Sequence, residues 1–100
     1  MSKIYISGQI TGLPIEHAMK NFRVAQLEAM YNYGYNYSVN PFDIRPLFGI
    51  KRWMFYMIAD VWHQRKCDAT AFQSNWMESR GAVIEYFFAK FIFKHRIIML

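Results

Sequence analysis

Lys3-Ile4-Tyr5-Ile6-Ser7-Gly8, followed after three residues by Gly12-Leu13-Pro14, is the stretch that decides the fold. Five residues of β-favouring character run into a glycine, and Pro14 suits the first position of a helix, where its missing N–H costs nothing. A strand therefore feeds a helix through a glycine loop. From Ile15 to about Asn32, Ala18, Phe22, Ala25 and Ala29 recur at spacings of four, three and four, which puts them on one helical face. Gly34 stands where that helix should stop.

The same grammar repeats down the chain. Tyr35 to Asn40 reads as a second strand, closed because the residue before Pro41 is pushed out of the helical region. Pro41 to Gly49, with two prolines and a glycine, reads as a loop. Lys51 to Lys66 reads as a second helix, apolar at Trp53, Met54, Met57, Ile58 and Val61 with Asp60 in its middle. Asp68 to Gln73 is a third strand, Ser79 and Gly81 open a helix running to about Phe93, and Arg96 to Leu100 is a final strand. Strands alternating with helices of this length imply right-handed crossovers, hence an α/β fold with a parallel sheet of about four strands and helices on both faces. Residues 1–100 make one domain by length. Ligands of such sheets sit beyond the carboxyl ends of the strands. The loops from Ser7 to Pro14, Asn40 to Gly49 and Gln73 to Gly81 are therefore the places to look.

Composition narrows the class. Hydrophobic residues make up 54% of the chain, so a packed core is available and a disordered tail is excluded. Nine Phe, seven Tyr, three Trp and seven Met exceed the needs of so small a core, which predicts apolar surface closed against another subunit. The net charge of +5 favours anions such as phosphates. A single cysteine, Cys67, excludes an internal disulfide and suits a reducing, cytoplasmic setting, where it reads as a small buried hydrophobe. The N-terminus has no apolar leader region, and no stretch reaches the roughly 20 apolar residues of a membrane span.

No metal site is legible, because His17, His63 and His95 lie far apart without acid or cysteine neighbours at ligand spacing. The first loop has neither the three glycines of a dinucleotide fingerprint nor the lysine of a P-loop, so a tight turn and an anion cradle are both open there. The sharper signal is Ser79-Arg80-Gly81-Ala82-Val83-Ile84-Glu85. Glu85 is the only acid after Gly81 and stands among apolar residues near a helix start, where the dipole favours its ionised form. Either it is an exposed balance for Lys90 and Lys94, or it points toward the strand ends as a nucleophile. Ser79 reads as an N-cap or a ligand contact, and Arg80 as a surface charge or a phosphate fork. Asp60 either pairs with a neighbouring arginine or faces the cleft as a second carboxyl group. Asp68 reads as closing the second helix onto the third strand.

Taken in order, Ile4 to Gly12, Asn40-Pro41, Asp60 with Asp68 eight residues on, and Ser79-Arg80-Gly81-Ala82 with Glu85 resemble the nucleoside 2-deoxyribosyltransferase superfamily over nearly the whole chain. In length and wording the chain is most similar to an uncharacterised branch of small proteins with YISGPITG-like beginnings and SRGAxxE-like endings. It also resembles the 2'-deoxynucleoside 5'-monophosphate N-glycosidases. The resemblance implies a flavodoxin-like three-layer sandwich, usually in dimers or higher oligomers, that cleaves or transfers at the N-glycosidic bond. It implies Glu85 as the nucleophile at the anomeric carbon, Tyr5 as its orienting hydroxyl, and Asp60 as the carboxyl group that contacts the sugar or helps the base depart. Gly8, Gln9, Ile10, Ser79, Arg80 and Gly81 are then the sugar-phosphate pocket, with Asp43 near the base. Ser79, six residues before Glu85, matches a phosphate-binding serine of the monophosphate branch, whereas Gln9 replaces a serine of that branch. No metal or organic cofactor is implied, since covalent displacement needs neither. The expected partner is a small deoxynucleoside or deoxynucleotide, with no membrane.

The competing classes are a nucleotide-binding protein without turnover and an oligomeric interaction protein that retains the fold. Tyr31, Tyr33, Tyr35 and Tyr37 suggest a stacking platform for single-stranded nucleic acid, but they straddle a helix end and a strand, so packing is the simpler reading.

Overall fold

The computed structural model describes residues 2–10, 12–44 and 53–100, with the side chains of residues 43, 44 and 53–56 left aside. Thr11, the rest of the expected loop to Gly49 and the expected helix start at Lys51 lie outside the described residues, as do the side chains of Trp53, Met54 and Asp43. The elements are β1 (Lys3–Ser7), α1 (Ile15–Tyr33), β2 (Tyr37–Val39), α2 (Pro41–Ile44), α3 (Trp53–Gln64), β3 (Ala69–Phe72), α4 (Arg80–Phe87) and β4 (Arg96–Met99). The four strands among the described residues are parallel, in the order β2-β1-β3-β4. The chain is the α/β sandwich that the alternation of strands and helices implies.

Period two along each strand sorts the side chains into two unlike layers. Ile4, Ile6, Ala69, Ala71 and Ile98 form one buried hydrocarbon face, packed by Phe22, Ala25 and Ala29 of α1. The two strand alanines and the two helix alanines bring α1 close to the sheet, and Phe22 meets Phe42 edge-on with ring centres 5.4 Å apart. Tyr5, Ser7, Thr70 and Phe72 point the other way, toward α3 and α4, and all four are fully buried. Three of these carry hydroxyls, so the second face is polar inside.

Several boundaries differ from the sequence expectation, each for a local reason. Pro14 is the N-cap rather than the first helical residue: its ψ of 137° is extended, and its carbonyl accepts from the Ala18 N–H at 3.0 Å. Gly34 ends α1 in the left-handed region at φ 75°, where glycine carries no Cβ penalty. Pro41–Ile44 forms a helical turn instead of loop, entered through the Asn40 side chain, whose Oδ1 accepts from the Phe42 N–H at 2.9 Å. The last helix is α only to Phe87 and then widens into a π turn over Phe88–Ile92, whose exit brings the His95 N–H onto the Ala89 carbonyl. Asp68 ties the sheet at its amino end, accepting from the Lys3 N–H at 2.9 Å while its own N–H donates to the Lys3 carbonyl.

Phe22→Ala removes the one large ring that α1 presses onto the alanine-lined face. It should cost about 3–5 kcal/mol in a urea titration, with the far-UV spectrum of the folded state retained.

Candidate active site

The site is built from the polar face. Tyr5 and Ser7 are two residues apart on β1, so both hydroxyls leave the sheet on the α4 side. The Tyr5 hydroxyl donates to Glu85 Oε2 at 2.5 Å and the Ser7 hydroxyl donates to Glu85 Oε1 at 2.8 Å. Glu85 is 4% exposed. A carboxylate taken that far from water needs donors, and hydrogen bonds to a charged oxygen are the strong ones. Two hydroxyls, one on each oxygen, stabilise the charged form and fix the plane of the group.

Local sequence explains how Glu85 arrives there. Ser79 caps α4, its Oγ accepting from the Ala82 N–H at 3.2 Å, and the buried Gly81 and Ala82 put no bulk between the first turn and the sheet. Glu85 then falls in the second turn, facing inward. Its backbone is held as well: Gln64 Nε2, from the end of α3, donates to the Glu85 carbonyl at 3.0 Å and to Thr70 Oγ1 at 3.1 Å. Thr70 Oγ1 lies 3.0 Å from His95 Nδ1. A hydroxyl accepts two hydrogen bonds and donates one, so it can take a protonated Nδ1 beside the Gln64 donor or give its own proton to a bare Nδ1, according to the imidazole tautomer. Burial holds His95 below its usual value, opposed by the charge of Asp68 and by a hydrogen bond to the Cys67 backbone.

Asp60 stands four residues before Gln64 on α3, hence on the same inward face, and is 2% exposed. Tyr5 and Glu85 are thus in direct contact, with Asp60 on the adjoining helix one turn nearer the carboxyl ends of the strands. The loop residues are arranged around them. Gly8 lies against Gln73 so closely that a Cβ would come within 2.5 Å of its Nε2. The Gln9 N–H donates to Asn75 Oδ1 at 3.2 Å, which ties the loops after β1 and β3 together. Ile10 packs its side chain on the α1-side core rather than toward Glu85. Arg80 is exposed on the first turn of α4, and Asp43 sits in α2 by its backbone.

Ser7, Gln64, Thr70, Gln73 and His95 were given no role in the site by the sequence reading. Ser7 was within reach of it, since Tyr5-Ile6-Ser7 in a strand places two hydroxyls on one face. Gln73 is buried at the end of β3, and its Nε2 has no hydrogen-bond partner among the described residues, leaving a donor at the crevice between the two loops. Cys67 is buried, donates to the His63 carbonyl, and has its thiol pushed up to about 11, chiefly by burial, which makes it a packing residue. Among the described residues, no group of three or more His, Cys, Asp and Glu side chains is placed to hold a metal ion. No described helix is long and apolar enough to cross a membrane. Tyr35 packs in the core, while Tyr31 and Tyr37 border an open depression beside it.

One family matches the chain over residues 2–98, and its description reads "Domain of unknown function (DUF4406)". No curated protein and no solved structure matches.

Tyr5→Phe and Ser7→Ala each strip one donor from a buried carboxylate and should each lower stability by about 1–3 kcal/mol. In a Glu85→Gln background both costs should shrink, which a double-mutant cycle by urea titration measures. His95 adds a pH signature. Its neutral form is favoured in the fold, so its contribution is complete above the unfolded value of 6.5 and is lost as pH falls from there toward the lower folded value. Thermal melts between about pH 7.5 and 5.5 should show a decline that is smaller in His95→Gln.

Proposed function

The chain belongs to the DUF4406 family, and we propose that it cleaves or transfers at the N-glycosidic bond of 2'-deoxynucleosides or their 5'-monophosphates. The observation that carries this reading is the Glu85 carboxylate held on both oxygens by the Tyr5 and Ser7 hydroxyls. A carboxylate oriented so tightly inside a low-dielectric wall is suited to attack an electrophilic carbon along one direction.

In the proposed reaction a Glu85 oxygen forms a bond to C1' of the sugar. The bond from C1' to the base nitrogen breaks, its electron pair leaves with the base, and the base takes up a proton. Asp60 is the side chain assigned to the sugar or to that proton. A second base or a water then attacks C1', and the glycosyl ester opens to return the Glu85 carboxylate. This two-step displacement follows the logic of retaining glycosidases. Ser79 retains its hydroxyl proton while capping α4, and with the guanidinium of Arg80 it offers donors to a 5'-phosphate at a helix start. Gly8, Gln9 and Gly81 are assigned to the same sugar-phosphate pocket. The reading is of a cytoplasmic, self-associating protein that works on a small molecule and uses neither metal nor organic cofactor.

A second reading is favoured by one observation, the near-complete burial of Glu85. On it the carboxylate is a structural tie between β1 and α4, and the fold serves as a nucleotide-binding or interaction module without turnover.

The test is base release. The purified protein is incubated with a panel of 2'-deoxynucleosides and their 5'-monophosphates, with and without an acceptor base, and the products are separated by chromatography. Free or exchanged base is expected, reduced by about 10³-fold or more in Glu85→Ala and by roughly 10²-fold in Tyr5→Phe. Release confined to monophosphates would assign Ser79 and Arg80 their role. No base from any substrate, with nucleotide binding still shown by thermal shift, would leave the binding-module reading in its place.

A further inference from the structure

The helices that hold the site turn a different face outward. α3 leads into β3 and α4 into β4, neighbouring strands of a parallel sheet, so both helices cross the sheet in the same direction. Between their outer ridges lies an open groove of about 370 Å³, within the size range of small-molecule sites. Met57, Ile58, Val61 and Trp62 form one wall, and Ile84, Phe88 and Phe93 form the other. Among the described residues, Arg65 is the one charged side chain that lines it. Arg65 continues the turn of α3, its N–H donating to the Val61 carbonyl at 3.0 Å. Residues 57 to 65 are therefore one helical stripe, which at the rise of an α-helix is about 12 Å long, with the guanidinium at its end.

Charge is sorted across this face. Within residues 57–66 and 79–96 the only acids are Asp60 and Glu85, and both are buried. The cations stay outside. The Arg65 guanidinium lies over the Trp62 ring, 4.1 Å from its centre, with Lys66 5.8 Å from the same centre and Lys90 5.6 Å from that of Phe91. The groove is thus apolar along its length and positive at one end.

We propose that the α3–α4 groove binds a fatty carboxylate, its alkyl chain along the stripe from Met57 to Trp62 and its carboxylate on the Arg65 guanidinium. Walls that offer no donor or acceptor select a chain that carries none, because a polar chain would lose its water without replacement. A guanidinium resting by one face on an indole keeps its N–H edge for a planar carboxylate, and the stacking fixes the direction of that fork. Charge complementarity selects an acid over an amine, since neither stretch exposes a carboxylate that would pair with Arg65 or receive a cationic head. The place is distinct from the candidate active site. α3 carries Gln64 inward and Trp62 outward, α4 carries Glu85 inward and Phe87 outward, and Arg65 stands at the end of α3 that adjoins the amino ends of the strands. The proposal does not rest on the glycosidic reading.

Isothermal titration calorimetry with sodium decanoate, kept below its micelle concentration, tests it. The wild-type chain should bind one decanoate with Kd on the order of 100 μM, tightening toward laurate and weakening toward octanoate by about threefold per methylene. Arg65→Gln should weaken decanoate by about 10-fold or more and leave decanol unchanged, which separates a head-group contact from a loss of fold. Ile58→Glu, at a wall position that is 61% exposed, should weaken both ligands, and Tyr31→Glu on α1 neither. Decylamine should bind at least about 10-fold more weakly than decanoate. No decanoate binding, equal binding of decylamine, or indifference to Arg65→Gln would each overturn the proposal. So would a face taken by phosphatidylglycerol vesicles but not by decanoate, or one closed by a second copy of the chain, seen in sedimentation as a dimer that Ile58→Glu dissociates and decanoate does not enter. Calorimetry reads no turnover, so this outcome and that of the base-release assay are separate.

Discussion

A buried carboxylate with a hydroxyl on each oxygen is the interaction around which the rest of this molecule is arranged. Glu85 contributes nothing to a hydrocarbon core, and without Tyr5 and Ser7 its burial would cost several kcal/mol. Placing two hydroxyls opposite it requires that β1 present them with period two, and that α4 begin close enough to the sheet for its second turn to reach them. The Ser79 cap and the small Gly81-Ala82 pair meet the second condition. Parallel pairing of β1 with β3 meets a third, since Tyr5 opposite Thr70 aligns the hydroxyl that Gln64 and His95 share.

The two faces of the sheet divide the work. On the α1 side, Ile4, Ile6, Ala69, Ala71 and Ile98 bury hydrocarbon against Phe22 and two alanines, which supplies stability and little specificity. On the α3–α4 side the buried groups are mostly polar and directional. Their chain runs from His95 through Thr70 and Gln64 to the Glu85 carbonyl, with the Gln64 amide donating to both of its neighbours. Such a network tolerates few rearrangements, so it defines position more than it adds stability. The apolar material that this face does not use inside appears outside, on the ridges of α3 and α4. That placement accounts for an aromatic content larger than the core consumes.

Much of the fold was legible because hydrophobic period and punctuation are local. Lys3–Ser7 matched the observed strand at both ends, and the spacing of Ala18, Phe22, Ala25 and Ala29 picked out the buried stripe of α1. Gly34 was legible as a stop because only the left-handed region lets the chain turn there. The errors fell where geometry is set by neighbours. Pro14 was one residue off because its ψ answers to the loop before it, and the Pro41–Ile44 turn depends on an Asn40 side chain that is itself held by Gln26. The π turn at Phe88–Ile92 carried no signal in the sequence reading, which ran one helix to about Phe93, and beyond it the chain brings His95 to Thr70.

The site divides along the same line. Glu85 was conspicuous as the lone acid of an apolar helix start, but whether it faced solvent or the strand ends stayed open until the sheet was in place; Tyr5 entered through the resemblance of the whole motif order. By itself the sequence determined the alternation of strands and helices, the stripe of α1, and a carboxylate near the head of the last helix. Period and composition act through nearest neighbours, and these features need nothing more. Only the tertiary structure decided that Tyr5 and Ser7, 80 and 78 residues away, would close on that carboxylate, and that Gln64, Thr70 and His95 would brace it. Strand register and helix docking determine which side chains meet across such separations, and no short stretch of chain encodes either.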